Sequence, residues 1–155
     1  MGFVVADTTP LNYLLLIDHI ELLPELFETV RVPDIVRDEL TAGGAPPVVQ
    51  AWISSPPAWL PALTATTANL DAGERAAIAL AAQLDAQLLL IDERAATAVA
   101  RTQGFTVMGT LGILELAAKR GMIDLRASLG RLTATNFRIA SRLIDALLAK
   151  YPVER

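Results

Sequence analysis

Short apolar runs alternate with amphipathic stretches along this chain, and the alternation predicts strands and helices in turn. Three runs are apolar on both faces, as buried strands of a parallel sheet are: residues 3–6, 88–91 and 105–108. The 3.6-residue periodicity predicts helices over residues 11–17, 21–27, 34–40, 71–84, 93–103, 109–120, 125–133 and 140–149. Strands that alternate with helices indicate an α/β fold with a parallel sheet and right-handed crossovers.

Weaker elements fill the remaining segments. Residues 30–33 predict a short strand that ends at Pro33, and residues 46–52 suggest a short helix. Residues 58–63 fit either a strand or an extended linker. Because no internal repeat or interdomain linker is visible, we expect a single domain over residues 1–155.

Composition excludes several classes of site. The absence of cysteine removes disulfides, thiol catalysis and thiolate metal sites, and the single histidine, His19, excludes a multi-histidine zinc site. No apolar run approaches the roughly 18 to 20 residues of a membrane span, so we expect no membrane association. No leader with a basic start and a cleavage site is visible either, and we therefore expect a cytoplasmic protein.

The charge is distributed unevenly. Residues 1–93 carry 13 acidic residues against 3 arginines (net −10), whereas residues 94–155 carry 10 basic residues against 4 acidic ones (net +6). Ordinary helix surfaces would explain both halves. An acidic pocket beside a basic rim would explain them too, and would let an acidic protein hold a polyanion.

The first candidate site residue is Asp7, at the carboxyl end of the first predicted strand. Open α/β sheets place their ligand sites at this edge. Thr8 or Thr9, with Pro10, predicts the start of a helix, because a hydroxyl caps free N–H groups and proline suits the first turn. Asp7 is therefore either a local cap or a ligand.

Three further acids stand where Asp7 would need partners. Asp92 ends the second buried strand, and neighbouring strands lie about 4.8 Å apart, so both carboxylates could reach one ion. Glu74 begins a predicted helix, and Glu39 lies within another. Each has a simpler interpretation: Asp92 as a helix N-cap, Glu74 as part of a capping box with Asp71, and Glu39 as an exposed helix acid.

The four acids also have a joint explanation. Crowded carboxylates repel one another and are costly to desolvate unless a hard cation neutralises them. A ligand set of oxygens alone suits Mg²⁺ or Mn²⁺. Such a site activates water and stabilises charge on a phosphodiester, which predicts metal-assisted hydrolysis.

Several short segments occur in a recognisable order along the chain: 5–11 (VADTTPL), 32–33 (VP) with 36–40 (VRDEL), 70–74 (LDAGE) with 77–81 (AIALA), 89–94 (LLIDER) and 107–112 (VMGTLG). In this order they closely resemble the PIN-domain superfamily and, within it, the VapC-like branch of uncharacterised nucleic-acid-binding proteins. The resemblance runs from about residue 3 to residue 149.

The resemblance implies a three-layer α/β/α sandwich with a central, mainly parallel sheet, and a ribonuclease activity that depends on Mg²⁺ or Mn²⁺. By position, Asp7, Glu39 and Asp92 match the acids of the family's metal site, and Glu74 stands where typical members have aspartate. Thr8 matches the small hydroxyl residue that supports the first acid. The resemblance also implies a homodimer and a toxin that a small antitoxin protein holds inactive.

Residues 93–97 (ERAAT) depart from the Asn/Asp-containing turn of the better-studied toxins. Arg94 lies within this stretch and Arg101 lies just beyond it. Both are candidates for binding the RNA backbone. The competing interpretation, ordinary arginines on a helix surface, is somewhat favoured.

Two other functions compete with the nuclease. The first is a catalytically inactive PIN-like interaction module that binds a protein or nucleic acid; its partner surface would be the apolar last helix, which suits a core role equally well. That helix carries Leu143, Ile144, Leu147 and Leu148. The second is a phosphotransfer domain with Asp7 as nucleophile. It is disfavoured because Thr9 replaces the second acid of an Asp-x-Asp pair, and because no lysine precedes Lys119.

Overall fold

The computed structural model describes residues 3–63 and 73–151, without the side chains of residues 62–63 and 73–75. The described residues form five short strands and nine helices. The strands are β1 (Val4–Ala6), β2 (Val32–Pro33), β3 (Ala62–Leu63), β4 (Leu88–Leu90) and β5 (Val107–Met108). The helices are α1 (Thr8–Leu16), α2 (Leu22–Phe27), α3 (Asp34–Thr41), α4 (Pro47–Ile53), α5 (Gly73–Leu84), α6 (Arg94–Thr102), α7 (Thr110–Lys119), α8 (Leu125–Thr133) and α9 (Ser141–Lys150).

The strand pairs are all parallel in the described residues. β4 lies between β1 and β5, and β2 pairs separately with β3. Arg31, just before β2, connects the two sheets: its N–H donates to the Val4 carbonyl (2.8 Å), and its carbonyl accepts from the Ala6 N–H (2.9 Å). The N–H groups of Val30 and Val32 point the other way, toward the segment around β3. The resulting strand order is β3–β2–β1–β4–β5.

The sheet is buried on both faces, which confirms the predicted α/β/α arrangement with a central parallel sheet. Because side chains alternate along a strand, successive residues of β1 and β4 point to opposite faces. One face packs against α5 and α6 in a core that includes Val5, Leu89, Ile91, Ala77, Leu80, Ala96 and Ala100. Val4, Ala6 and Leu90, on the opposite face, are buried too.

The contacts divide the chain into two compact units, Met1–Thr110 and Leu111–Arg155. The first contains the sheet with α1 to α6. The second contains α7 beyond its first residue, α8 and α9; α8 packs against α9, and its apolar side chains Leu125, Leu129 and Leu132 are buried. A single domain over residues 1–155 stays a prediction.

The structure differs from the prediction at β5 and decides an open alternative at β3. The third strand, predicted to be buried, has Val107 and Met108 only half-buried, because β5 lies at the edge of the described sheet with β4 as its paired neighbour. Residues 58–63 end in the strand β3 and are not only a linker. In the part of the chain that the structure describes, no helix is long and apolar enough to cross a membrane.

We predict that Leu89→Ala lowers the free energy of unfolding by about 2–5 kcal/mol, because Leu89 is fully buried at the centre of the sheet and its truncation leaves a cavity. Chemical denaturation measures the change. Val48→Ala is the control, since Val48 is 52% exposed on α4, and we expect it to alter stability by no more than about 0.5 kcal/mol. Equal losses in the two variants would contradict the assigned core.

Candidate functional site

Asp7 lies at the carboxyl end of β1, where the chain turns into α1. Its backbone N–H donates to the Leu90 carbonyl (2.9 Å), which ties this turn to β4. Asp7 occupies the N-cap position of α1, but its carboxylate makes no capping hydrogen bond to the first turn of that helix. The residue is only 2% exposed. A local cap therefore does not explain this buried carboxylate.

Thr8, the next residue, brings a second oxygen to the same turn. Its Oγ1 atom is buried and has no hydrogen-bond partner among the described residues. A buried hydroxyl is costly unless it forms a hydrogen bond, so an occupant with polar character would stabilise this turn. The position suits the supporting role predicted for Thr8.

Asp92 lies two residues beyond β4, at the same edge of the sheet. Its Oδ1 accepts a hydrogen bond from the Thr110 N–H (2.8 Å), and its Oδ2 accepts one from the Thr110 hydroxyl (2.6 Å). The N-cap of α6 is the next residue, Glu93, whose carboxylate accepts from the N–H groups of Ala95 (3.0 Å) and Ala96 (2.7 Å). The interpretation of Asp92 as the N-cap of the following helix is therefore wrong.

The surroundings of Asp92 disfavour its negative charge. Burial raises the pKa of the Asp92 carboxyl, and the two hydrogen bonds from Thr110 offset part of that rise because they stabilise the ionised form. On α1, burial raises the pKa of Tyr13, and the charge of Asp92 raises it further. The helix that begins after Asp7 thus places its tyrosine within range of the Asp92 charge.

Gly109 completes the surroundings of the Asp92 carboxylate. A Cβ atom at position 109 would lie 2.6 Å from Oδ1 of Asp92 and 3.4 Å from its Cγ. The first separation is shorter than van der Waals contact allows, so a side chain here would displace the carboxylate. The absence of a side chain at position 109 lets the loop after β5 approach Asp92 closely.

The other two predicted ligands lie on the helices α3 and α5. Glu39 is exposed, in the last turn of α3, and α3 packs against α1 and α5. Glu74 is the second residue of α5, which packs against β1 and β4, and its side chain lies outside the described part. Among the side chains that the structure describes, which do not include that of Glu74, no three acidic or histidine residues form a group that could hold a metal ion. Convergence of all four acids on one ion stays a prediction.

Arg94 and Arg101 are both exposed on α6. Their spacing of seven residues places them on one face of the helix, about 10 Å apart along its axis. Arg94 is the first residue of α6 and so follows Asp92 closely in the chain. This geometry is compatible with backbone contacts to a nucleic acid.

Sequence reasoning missed three residues around Asp92: Tyr13, Gly109 and Thr110. One signal was available for two of them. Gly109 and Thr110 follow a strand just as Asp7 and Asp92 do, and the carboxyl ends of parallel strands share one edge of the sheet. Tyr13 gave no such signal, because its approach to Asp92 depends on the path of α1.

Together these features describe a layered α/β protein with acidic groups at the carboxyl edge of a parallel sheet. Residues 3–152 match a family model described as a PIN domain, and the chain belongs to this family. PIN domains are generally nucleases, which are hydrolases. Comparisons with curated proteins and with solved structures gave no match. Assignment to the VapC-like branch is compatible with the family match and stays a prediction.

We predict that Asp92→Asn stabilises the protein at pH 7 in EDTA. The pKa of Asp92 is raised above its ordinary value of 3.8. The stability that this carboxyl group contributes is therefore complete when the pH is below 3.8, and it is lost as the pH rises through the folded-state pKa. Asparagine resembles the neutral acid and keeps that contribution at neutral pH. Urea unfolding as a function of pH measures the difference, which should shrink as the solution is acidified.

Glu93→Gln is the matched control with the opposite sign. The hydrogen bonds from Ala96 and Ala95 lower the pKa of Glu93 below its ordinary value of 4.5, so the stability it provides is present above that value and is lost as the pH falls through the folded-state pKa. We expect this variant to be less stable than the wild type at pH 7. A destabilised Asp92→Asn protein in EDTA would contradict the assignment for Asp92.

Proposed function

We propose that this protein is a metal-dependent ribonuclease that hydrolyses RNA phosphodiester bonds. Membership in the PIN-domain family supports a nuclease. The observation that carries the assignment is that Asp7 and Asp92 lie at the ends of neighbouring strands and that neither carboxylate caps the helix that directly follows it. Neither carboxylate is explained by the stability of the helix that follows it.

The donor set fits Mg²⁺ or Mn²⁺. Asp7 and Asp92 supply carboxylate oxygens at one sheet edge, and Thr8 supplies a buried hydroxyl beside them. Hard divalent cations prefer such oxygen ligands. A cation would also offset the desolvation that raises the pKa of Asp92, since a nearby positive charge favours the ionised carboxylate.

In the proposed mechanism, Asp7 and Asp92 hold the ion, and Glu39 and Glu74 complete the acidic pocket directly or through water. When bound, the ion supplies Lewis-acid chemistry, by which it lowers the pKa of water and neutralises charge on the phosphate. Short strands and a buried core position Asp7, while Asp92 accepts two hydrogen bonds from Thr110. Rigid placement of both carboxylates keeps the cost of reorganisation low during the reaction.

We further propose that the protein is the cytoplasmic toxin of a toxin–antitoxin pair, forms a homodimer and is inhibited by a small antitoxin protein. The resemblance to the VapC-like branch supports these assignments. On α9, Leu147 is buried, Ile144 and Leu148 are half-buried and Leu143 is 44% exposed, so part of the predicted apolar surface is available to a partner.

The alternative is a PIN-like interaction module that no longer cleaves RNA. It is favoured by the apolar surface that α9 exposes at Leu143. The two functions differ in a measurable way, because a module would bind RNA or a protein without hydrolysis. Cleavage assays with defined metal content therefore separate them.

We predict that Asp7→Asn lowers the rate of RNA cleavage by at least about 10²-fold, because direct ligands should matter at least as much as the residues that support them. The assay uses a mixed RNA pool with Mn²⁺, with EDTA in its place, and with the variant. Asp85→Asn is the control: Asp85 is exposed in the turn before β4, and asparagine tolerates its positive φ of 53°. An undiminished cleavage rate of the wild-type protein in EDTA would contradict the proposal. Cleavage by Asp7→Asn at the wild-type rate would contradict it too.

We predict that the double variant Arg94→Ala/Arg101→Ala raises KM for RNA and leaves kcat nearly unchanged. Each lost phosphate contact should reduce the slope of log affinity against log salt by about 0.7 for a single strand. Steady-state kinetics at several salt concentrations measures both effects. Arg126→Ala, on the exposed surface of α8, is the comparison variant. An unchanged salt slope in the double variant would assign both arginines to the ordinary helix surface.

A further inference from the structure

We propose that Thr110 is a positioning residue that, together with Gly109, holds the Asp92 carboxylate in the orientation required to bind the metal ion. This inference rests on the proposed function and adds two residues to its site. Thr110 acts through Asp92, because the N–H and hydroxyl groups of Thr110 contact the carboxylate. The ion itself would bind to the oxygens of that carboxylate.

One residue fixes both oxygens of Asp92. The backbone N–H of Thr110 donates to Oδ1, and its hydroxyl donates to Oδ2 at 2.6 Å. Hydrogen bonds to an ionised acceptor are stronger than neutral ones, and two of them from a single residue prevent rotation of the carboxylate plane. Each carboxylate oxygen has a second lone pair, so both oxygens keep the capacity to bind a cation.

Gly109 makes this contact possible because it leaves space next to Asp92. A Cβ atom at position 109 would meet Oδ1 at 2.6 Å and the Ile91 carbonyl oxygen at 3.5 Å. The φ angle of Gly109 lies outside the positive range that disfavours other residues. Alanine at position 109 would therefore push the carboxylate aside without straining the backbone.

A purely structural role would use the same hydrogen bonds. Thr110 is the first residue of α7, so its N–H has no acceptor within that helix, and Asp92 satisfies it. In that role, loss of the Thr110 hydroxyl would weaken the fold and leave metal affinity unchanged. The two roles are separated by metal binding measured apart from stability.

The experiment measures Mn²⁺ binding to the full chain without RNA, by calorimetry or by electron paramagnetic resonance, for wild type, Thr110→Val, Thr110→Ser and Gly109→Ala. Unfolding in EDTA is measured for the same proteins. We expect Thr110→Val to weaken Mn²⁺ binding by about 10-fold or more, as for other residues that orient metal ligands. Thr110→Ser keeps the hydroxyl and should restore the wild-type affinity, and Gly109→Ala should weaken binding although Thr110 is intact.

Thr133→Val is the matched control, because its exposed hydroxyl donates to the Gly130 carbonyl (3.0 Å) and contacts no carboxylate. Reduced stability of Thr110→Val with unchanged Mn²⁺ affinity would overturn the proposal, and so would a wild-type chain that binds no Mn²⁺. If Mn²⁺ binding follows the expected order while wild type cleaves no RNA, the positioning role stands and the ribonuclease assignment fails. If wild type cleaves RNA, excess Mn²⁺ should restore the kcat of Thr110→Val.

Discussion

The parallel pairing of β1 with β4 is the constraint on which the rest of this protein depends. It brings the residues that follow the two strands to one edge of the sheet, although they are far apart in the chain. Both strands are buried, and this restricts how far the edge can relax. The resulting carboxylates sit where water is scarce, so their charge is costly unless a partner neutralises it. The burial that the fold imposes therefore favours binding of a neutralising partner at this edge.

The neighbouring acids Asp92 and Glu93 show how the fold divides roles that the sequence leaves open. Glu93 is exposed and caps α6, and its hydrogen bonds with the first helical turn favour its ionised form. Asp92 is half-buried and is held from across the sheet edge by Thr110. Glu93 caps the helix that follows it, whereas Asp92 accepts a hydrogen bond from the N–H of the first residue of α7. Their order in the chain gave no indication of this division, because an N-cap position differs by a single residue from the end of a strand.

The family match and the local geometry carry different parts of the functional assignment. Membership in the PIN-domain family establishes a nuclease type of fold, and nucleases in general act on phosphodiesters. The geometry of Asp7, Asp92 and Thr110 concerns how this particular chain would hold a cation.

The sequence by itself determined the order and type of the elements, because hydrophobic periodicity and turn residues act over a few positions. It also singled out Asp7 and Asp92, since acids directly after buried strands are visible without coordinates. Only the tertiary structure decided that β1 and β4 are neighbours, that β5 lies at the edge, and that Gly109 and Thr110 enclose Asp92. These facts depend on contacts between segments distant in the chain. No local pattern encodes such contacts, because they result from the packing of the whole sheet.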